Sequence, residues 1–221
     1  MTWFEVNFAA LLNTYLERQI TFEQKATLER LGSGNKLLYV LHGYGQLAKF
    51  FIRQFKPAET MDYTIVAPEG LHRFYLEGTK GRVGASWMTK ENREQDIQNY
   101  LSYLNAIHLQ LSAEKDWDKI VVLGFSQGVA TAFRWLAESD IKPSKFLICS
   151  GLVPPDVDLN IKKGIFDPIK MTYFSGVHDP YRTEASVKEF YDAVTSSKLD
   201  MELVNFEGVH EINVDGVMER L

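Results

Sequence analysis

The sequence predicts an α/β fold in which helices flank both faces of a mostly parallel central sheet. Two observations lead there. Short, continuous apolar runs recur at Leu37–Leu41, Tyr63–Ala67, Lys119–Leu123, Phe146–Ser150, Met171–Ser175 and Met201–Phe206, with helix-forming stretches between most of them. Runs of this length suit strands covered on both faces, as in a parallel sheet. The second observation is Gly124-Phe125-Ser126-Gln127-Gly128, set between the run at 119–123 and the helix-like stretch Val129–Leu136. Strand, GxSxG, helix is the context of a nucleophile elbow, where a serine sits on a sharp turn that only glycines leave room for.

Composition sets the outer bounds. With 221 residues, 45% hydrophobic and 24% charged, the chain is long enough to bury a core as a single α/β domain over 1–221. A net charge of -5 with no basic stripe argues against nucleic acid as a partner. The single cysteine, Cys149, cannot form an intramolecular disulfide and lies in an apolar run, which points to packing. No apolar run approaches the ~18 residues that span a bilayer. No basic residue precedes Arg18, so a signal-peptide n-region is missing. These features lead us to expect a cytoplasmic protein without stable membrane insertion.

The elements follow in order. Phe4, Phe8, Leu11, Leu12, Tyr15 and Leu16 recur at helical spacing over 3–16, and Thr2 with Glu5 forms a capping box. The polar face of this helix is not basic, which favours packing on the body over a membrane surface. Residues 18–31 mix alternation with helix formers; outer strands are the favoured reading. Gly32–Lys36 is a turn, since a phosphate-cradling loop would link a strand to a helix instead. The strand at 37–41 runs into His42-Gly43-Tyr44-Gly45, and a helix from Leu47 to Phe55 turns Phe50, Phe51 and Phe55 inward.

After the strand at 63–67, residues 70–90 break the alternation. His72, Phe74, Tyr75 and Trp87 lie among Gly78, Gly81 and Gly84 in a long non-periodic loop. Such a loop either covers a substrate cleft or is tacked to the surface by its aromatics. Residues 91–112 form the longest helix, with Ile97, Tyr100, Leu101, Leu104, Ile107 and Leu111 on one stripe and His108 beside it. The later strands at 146–150, 171–175 and 201–206 end at Gly151, Gly176 and Gly208, and a helix carrying Val187, Phe190, Tyr191 and Val194 precedes the last of them. A short helix closes the chain.

An elbow serine requires a base, a carboxylate to orient it, and backbone N–H groups for an oxyanion. Active groups gather at the carboxyl ends of strands in such sheets. Asp179 lies there, before Pro180, with Asp156 as its rival after the preceding strand. His210 follows the last strand, where a Ser, Asp, His order needs a histidine, and His42, His72, His108 and His178 do not. His178, Asp179 and His210 offer no HxxxH-type pair and no thiolate, so no metal site is expected.

With these residues in place, the chain resembles the α/β-hydrolase superfamily and, within it, the phospholipase/carboxylesterase group that includes acyl-protein thioesterases. The resemblance runs from about Leu37 to the C-terminus through Leu41-His-Gly-Tyr-Gly45, Gly124-Phe-Ser-Gln-Gly128, Ser150-Gly151, Gly176–Pro180 and Gly208-Val-His210. It implies the α/β-hydrolase fold, catalysis by Ser126, Asp179 and His210, and an oxyanion hole from the N–H groups of Tyr44 and Gln127. Two departures stand out. Val129 occupies the place of a usual second glycine, and bulky Tyr44 follows His-Gly.

The expected reaction is cofactor-free hydrolysis of a small-molecule ester or thioester. Tyr44, Phe74, Tyr75 and Trp87 are the expected substrate surface, favouring uncharged acyl chains of short to medium length. The alternatives are an acyl-protein thioesterase or lysophospholipase for long chains, a peptidase, and a non-catalytic binding protein on the same scaffold.

Overall fold

A computed structural model describes residues 18–221. The expected N-terminal helix at 3–16 lies outside the described residues. The central sheet has seven strands: β1 (Leu28–Leu31), β2 (Lys36–Leu41), β3 (Tyr63–Pro68), β6 (Lys119–Phe125), β7 (Lys145–Cys149), β8 (Lys170–Gly176) and β9 (Met201–Phe206). Their spatial order is β1-β3-β2-β6-β7-β8-β9. Every neighbouring pair is parallel except β1 with β3.

Both faces of the sheet are covered because the middle strands carry apolar residues on both sides. In β2, Leu37, Tyr39 and Leu41 enter one core while Leu38 and Val40 enter the other, the period of two that a pleated strand imposes. The first core is roofed by α2 (Arg93–Glu114) and α3 (Gln127–Glu138). The second lies under α1 (Ala48–Phe51), the 3₁₀ segment Ile52–Met61 and α6 (Val214–Met218). The remaining helices are α4 (Lys163–Phe166) and α5 (Glu184–Ser197). Thr183 and Ser186 begin α5 with a reciprocal capping box, each side chain accepting the other's backbone N–H.

Three expectations are corrected. Only Leu28–Leu31 of the 18–31 segment, expected to form outer strands, is a strand, and it pairs with β3 at the sheet edge. The helix after residue 47 is a single turn before the chain tightens into 3₁₀ geometry around Pro57, and Phe50 faces outward while Phe51 and Phe55 are buried. Residues 70–90 are no irregular loop. They contain the antiparallel hairpin β4 (His72–Glu77) and β5 (Lys80–Ser86), turned at Gly78 with φ +64°. The hairpin is exposed along most of both strands, so its sequence carries no apolar alternation.

Candidate active site

The turn at Ser126 is built from close approaches. Ser126 has φ 52° and ψ -117°, a conformation that a side chain resists. A Cβ on Gly124 would lie 2.6 Å from the Gly128 carbonyl oxygen, and one on Gly128 would lie 2.1 Å from that of Leu41. Both glycines are therefore obligatory for α3 to start directly from β6. Val129, in place of a second glycine, is fully buried; the room is made opposite, where a Cβ on Gly151 would lie 2.4 Å from Val129 Cβ.

Ser126, Asp179 and His210 arrive from the ends of β6, β8 and β9 and line one cleft of about 720 Å³. His210 Nδ1 lies 2.7 Å from Asp179 Oδ2, and the Tyr181 N–H donates to Asp179 Oδ1 at 2.8 Å. The Asp179 side chain is 5% exposed and that of His210 20%. Aromatic neighbours hold the imidazole, with Tyr181 edge-on at 4.7 Å and Phe125 at 5.0 Å between centroids. Binding Asp179 through Nδ1 leaves Nε2 available to a group in the cleft.

The segment opposite the serine is strapped in place. A Cβ on Gly43 would lie 3.1 Å from Ser126 Cβ, so the backbone leading into Tyr44 passes against the serine. The Gly45 N–H donates to the Ala85 carbonyl and the Ala85 N–H to the Gln46 carbonyl, which joins this turn to β5. The Gln46 Oε1 accepts from the Gly43 N–H at 2.8 Å. Beneath it His42 is fully buried, its Nε2 accepting from the Gly70 N–H at 2.9 Å and its Nδ1 lying 2.8 Å from the Gly43 carbonyl. Those partners define a neutral ring protonated on Nδ1. Burial pushes the His42 pKa below the usual imidazole value.

Gln127 contributes its side chain as well as its backbone. Its Nε2 donates to the Met88 carbonyl at 2.9 Å and its Oε1 accepts from the Trp87 N–H at 3.1 Å. As the first residue of α3, its own N–H has no carbonyl a turn earlier in the helix to bond. The Tyr44 N–H makes no hydrogen bond among the described residues. Neither N–H is thus committed to a partner among the described residues.

The expected substrate surface is only partly in the cleft. Tyr44 lines it, at 60% exposure, with Phe74 packed on its ring 4.9 Å away. Phe74, Tyr75 and Trp87 do not line the cleft. Tyr75 is exposed on the hairpin, and Trp87 is buried, its Nε1 donating to the His42 carbonyl at 2.9 Å. An indole N–H among apolar neighbours needs such a partner, which makes Trp87 a brace for the His42–Tyr44 segment. The walls that sequence reasoning missed come from Leu152, Val153, Pro154 and Pro155 after β7, Tyr173 on β8, and Val187 on α5. The visible signal was Pro154-Pro155 after a strand end.

Asp156, the rival acid, is held elsewhere. Arg134 on α3 grips it in a fork, Nε to Oδ2 at 2.7 Å and Nη2 to Oδ1 at 2.8 Å, and Arg93 adds a contact of 2.5 Å. The Arg134 hydrogen bonds hold the Asp156 carboxyl down to about 2. The other histidines have partners away from the cleft: His72 with Asp96, His108 with Tyr39 and His178 with Glu207. Among the described residues no group of three or more His, Cys, Asp or Glu side chains is arranged to hold a metal ion. No helix there is long and apolar enough to cross a membrane.

A mostly parallel sheet flanked by helices, with a serine on the sharp turn between its central strand and a helix, defines the α/β-hydrolase class. Residues 25–220 match the model of the phospholipase/carboxylesterase family, and the chain belongs to that family. Solved structures share the fold at low identity. The crystal structure of esterase PE8 is 19% identical with a TM-score of 0.70, the match covering 89% of this chain and 96% of that one. Acyl-protein thioesterase 2 from Zea mays is 16% identical with a TM-score of 0.67, again covering 89% and 96%. An uncharacterized protein from Bacillus cereus ATCC 10987, 16% identical with a TM-score of 0.69, covers 96% of this chain, which spans 64% of that protein's length. Comparison with curated protein sequences finds no match.

Proposed function

We propose that the chain hydrolyses carboxylic esters or thioesters of short to medium acyl chains through an acyl-enzyme on Ser126. The observation that carries this reading is the contact between His210 and Asp179 in the cleft that Ser126 lines. In this scheme His210 Nε2 takes the Ser126 proton as Oγ attacks the acyl carbonyl, and Asp179 holds the Nδ1–H tautomer and steadies the imidazolium. The N–H groups of Tyr44 and Gln127 receive the oxyanion. His210 then protonates the departing alcohol or thiol, and water, deprotonated by the same imidazole, releases the acid. No cofactor enters the scheme. Apolar walls at Leu152, Val153, Pro154 and Val187 suit the methylenes of an acyl chain.

A fluorophosphonate tests the reading directly, since only a base-activated serine attacks phosphorus quickly. One adduct is expected, at Ser126, absent from Ser126→Ala. Ester turnover in that variant should drop by at least ~10³-fold because the members of such a site act as one unit. Undiminished turnover in Ser126→Ala, or an adduct at another residue, refutes the mechanism.

A further inference from the structure

Among the described residues, the buried side-chain polar atoms without a hydrogen-bond partner are Ser139 Oγ, Ser150 Oγ and Arg182 Nε. Ser150 and Arg182 both line the cleft with Ser126. Buried polar groups are nearly always partnered, so these two mark a stretch of the cleft wall whose polar groups the described residues leave unsatisfied. Ser150 carries a second sign of constraint, a φ of 49° on a residue with a side chain.

The cleft contains two arginines in opposite situations. The charge of Arg134 is met by the forked Asp156 carboxylate. Arg182 has no carboxylate in ion-pair range among the described residues; its side-chain hydrogen bond goes from Nη2 to the neutral Asn205 Oδ1 at 3.2 Å. The carboxylates lining the cleft do not neutralise it. Asp179 is occupied by His210 and the Tyr181 N–H, and Glu189 stands exposed on α5 without an ion pair to Arg182. A guanidinium cannot shed its proton, so Arg182 brings a permanent positive charge to the cleft that no carboxylate of the described residues pairs.

We infer that Arg182, which lines the cleft together with Ser150, forms a carboxylate subsite, so that the preferred substrates are esters or thioesters that carry a carboxylate on a short aliphatic chain. The inference rests on the hydrolase reading above. It commits to a carboxylate because a guanidinium makes strong charge-assisted hydrogen bonds to that group, while Leu152, Val153 and Val187 in the same cleft suit a short aliphatic chain. The carboxylate undergoes no chemistry; the bond cleaved is still the one at the carbonyl attacked by Ser126.

The experiment compares matched neutral and anionic esters. In one arm the nitrophenyl half-ester of glutaric acid is set against nitrophenyl pentanoate, which places the charge on the acyl side. In the other, carboxymethylphenyl pentanoate is set against ethylphenyl pentanoate, which places it on the leaving group. The wild-type enzyme should favour the anionic member of at least one pair by ~10-fold or more in kcat/KM, the scale of a charged hydrogen bond. Arg182→Gln should erase that ratio, Arg182→Lys should keep part of it, and high salt should shrink it. Equal or inverted preference in both arms overturns the subsite, as does a preference that survives in Arg182→Gln. A folded enzyme that turns over neutral esters without preferring the anionic ones refutes the subsite alone, whereas failure on every ester together with no fluorophosphonate adduct removes the hydrolase reading and the subsite with it.

Discussion

His210 Nδ1 stands 2.7 Å from Asp179 Oδ2 although the two residues follow different strands of the sheet. Asp156, the other acid after a strand end, lies in the fork of Arg134. The two carboxylates should therefore fail in different ways when each is made an amide. Asp179→Asn favours the wrong imidazole tautomer and should lower kcat by ~10³–10⁴-fold with little loss of stability. Asp156→Asn removes the charge opposite the buried Arg134 and should lower thermal stability instead. Because Asp156 is itself 34% exposed, solvent screening discounts that loss to about 1–3 kcal/mol. Steady-state kinetics and melting of both variants check this; a stable but inactive Asp156→Asn reverses the assignment.

The clamp from Gln127 to Met88 and Trp87 predicts that its side chain matters for rate. Gln127→Ala keeps the backbone N–H but releases the turn from the segment after β5. We expect a fall of ~10-fold or more in kcat with KM changed little, as for a donor needed mainly in the transition state. A rise in KM alone would assign Gln127 to substrate binding.

The parts legible in the sequence were those with local periodicity. Leu37–Leu41 reads as a two-faced strand because its neighbours in both cores are set by alternate residues of one short run. The elbow is legible because its glycines are forced by backbone contacts within a few ångströms. The β4–β5 hairpin was hidden: Phe74-Tyr75 and Val83 flank a turn at Glu77–Lys80, but neither strand has a buried face along its length. Trp87 misled because an aromatic among glycines gives no sign of whether its N–H faces a ligand or the His42 carbonyl. Arg134 and Arg182 could not be told apart at all, since charge neutralisation by Asp156 or its lack is a through-space relationship.

Acidification should destabilise the fold through buried His42 and half-buried His108. Burial lowers the pKa of His42 and also that of His108, which is hydrogen-bonded to Tyr39. The folded state resists their protonation, so the unfolded chain binds protons first as pH falls below ~6.5. Stability is retained above that value and declines below it. Tm measured from pH ~7.5 down to ~5.5 should fall, and the His42→Gln, His108→Gln double variant, though less stable throughout, should show a flatter profile. An unchanged slope in the double variant refutes neutral burial as the cause.

Acyl length gives the final prediction. Tyr44 sits at the rim at 60% exposure, with Phe74 behind it, so truncating Phe74 to alanine should weaken turnover only modestly. Ala130 on α3, the 152–155 segment and Val187 line the cleft and are the walls expected to limit its depth. Each methylene buried contributes at most ~0.8 kcal/mol, so kcat/KM for neutral nitrophenyl esters should rise up to ~4-fold per carbon from acetate upward. The rise should end at roughly four to eight carbons, where further methylenes overfill a packed wall. Ala130→Leu adds volume at that wall and should move the optimum to shorter chains, with acetate the least affected ester. A monotonic rise to palmitate in the wild-type enzyme would favour a long-chain substrate, and an optimum unmoved by Ala130→Leu would show that the acyl chain takes another path out of the cleft.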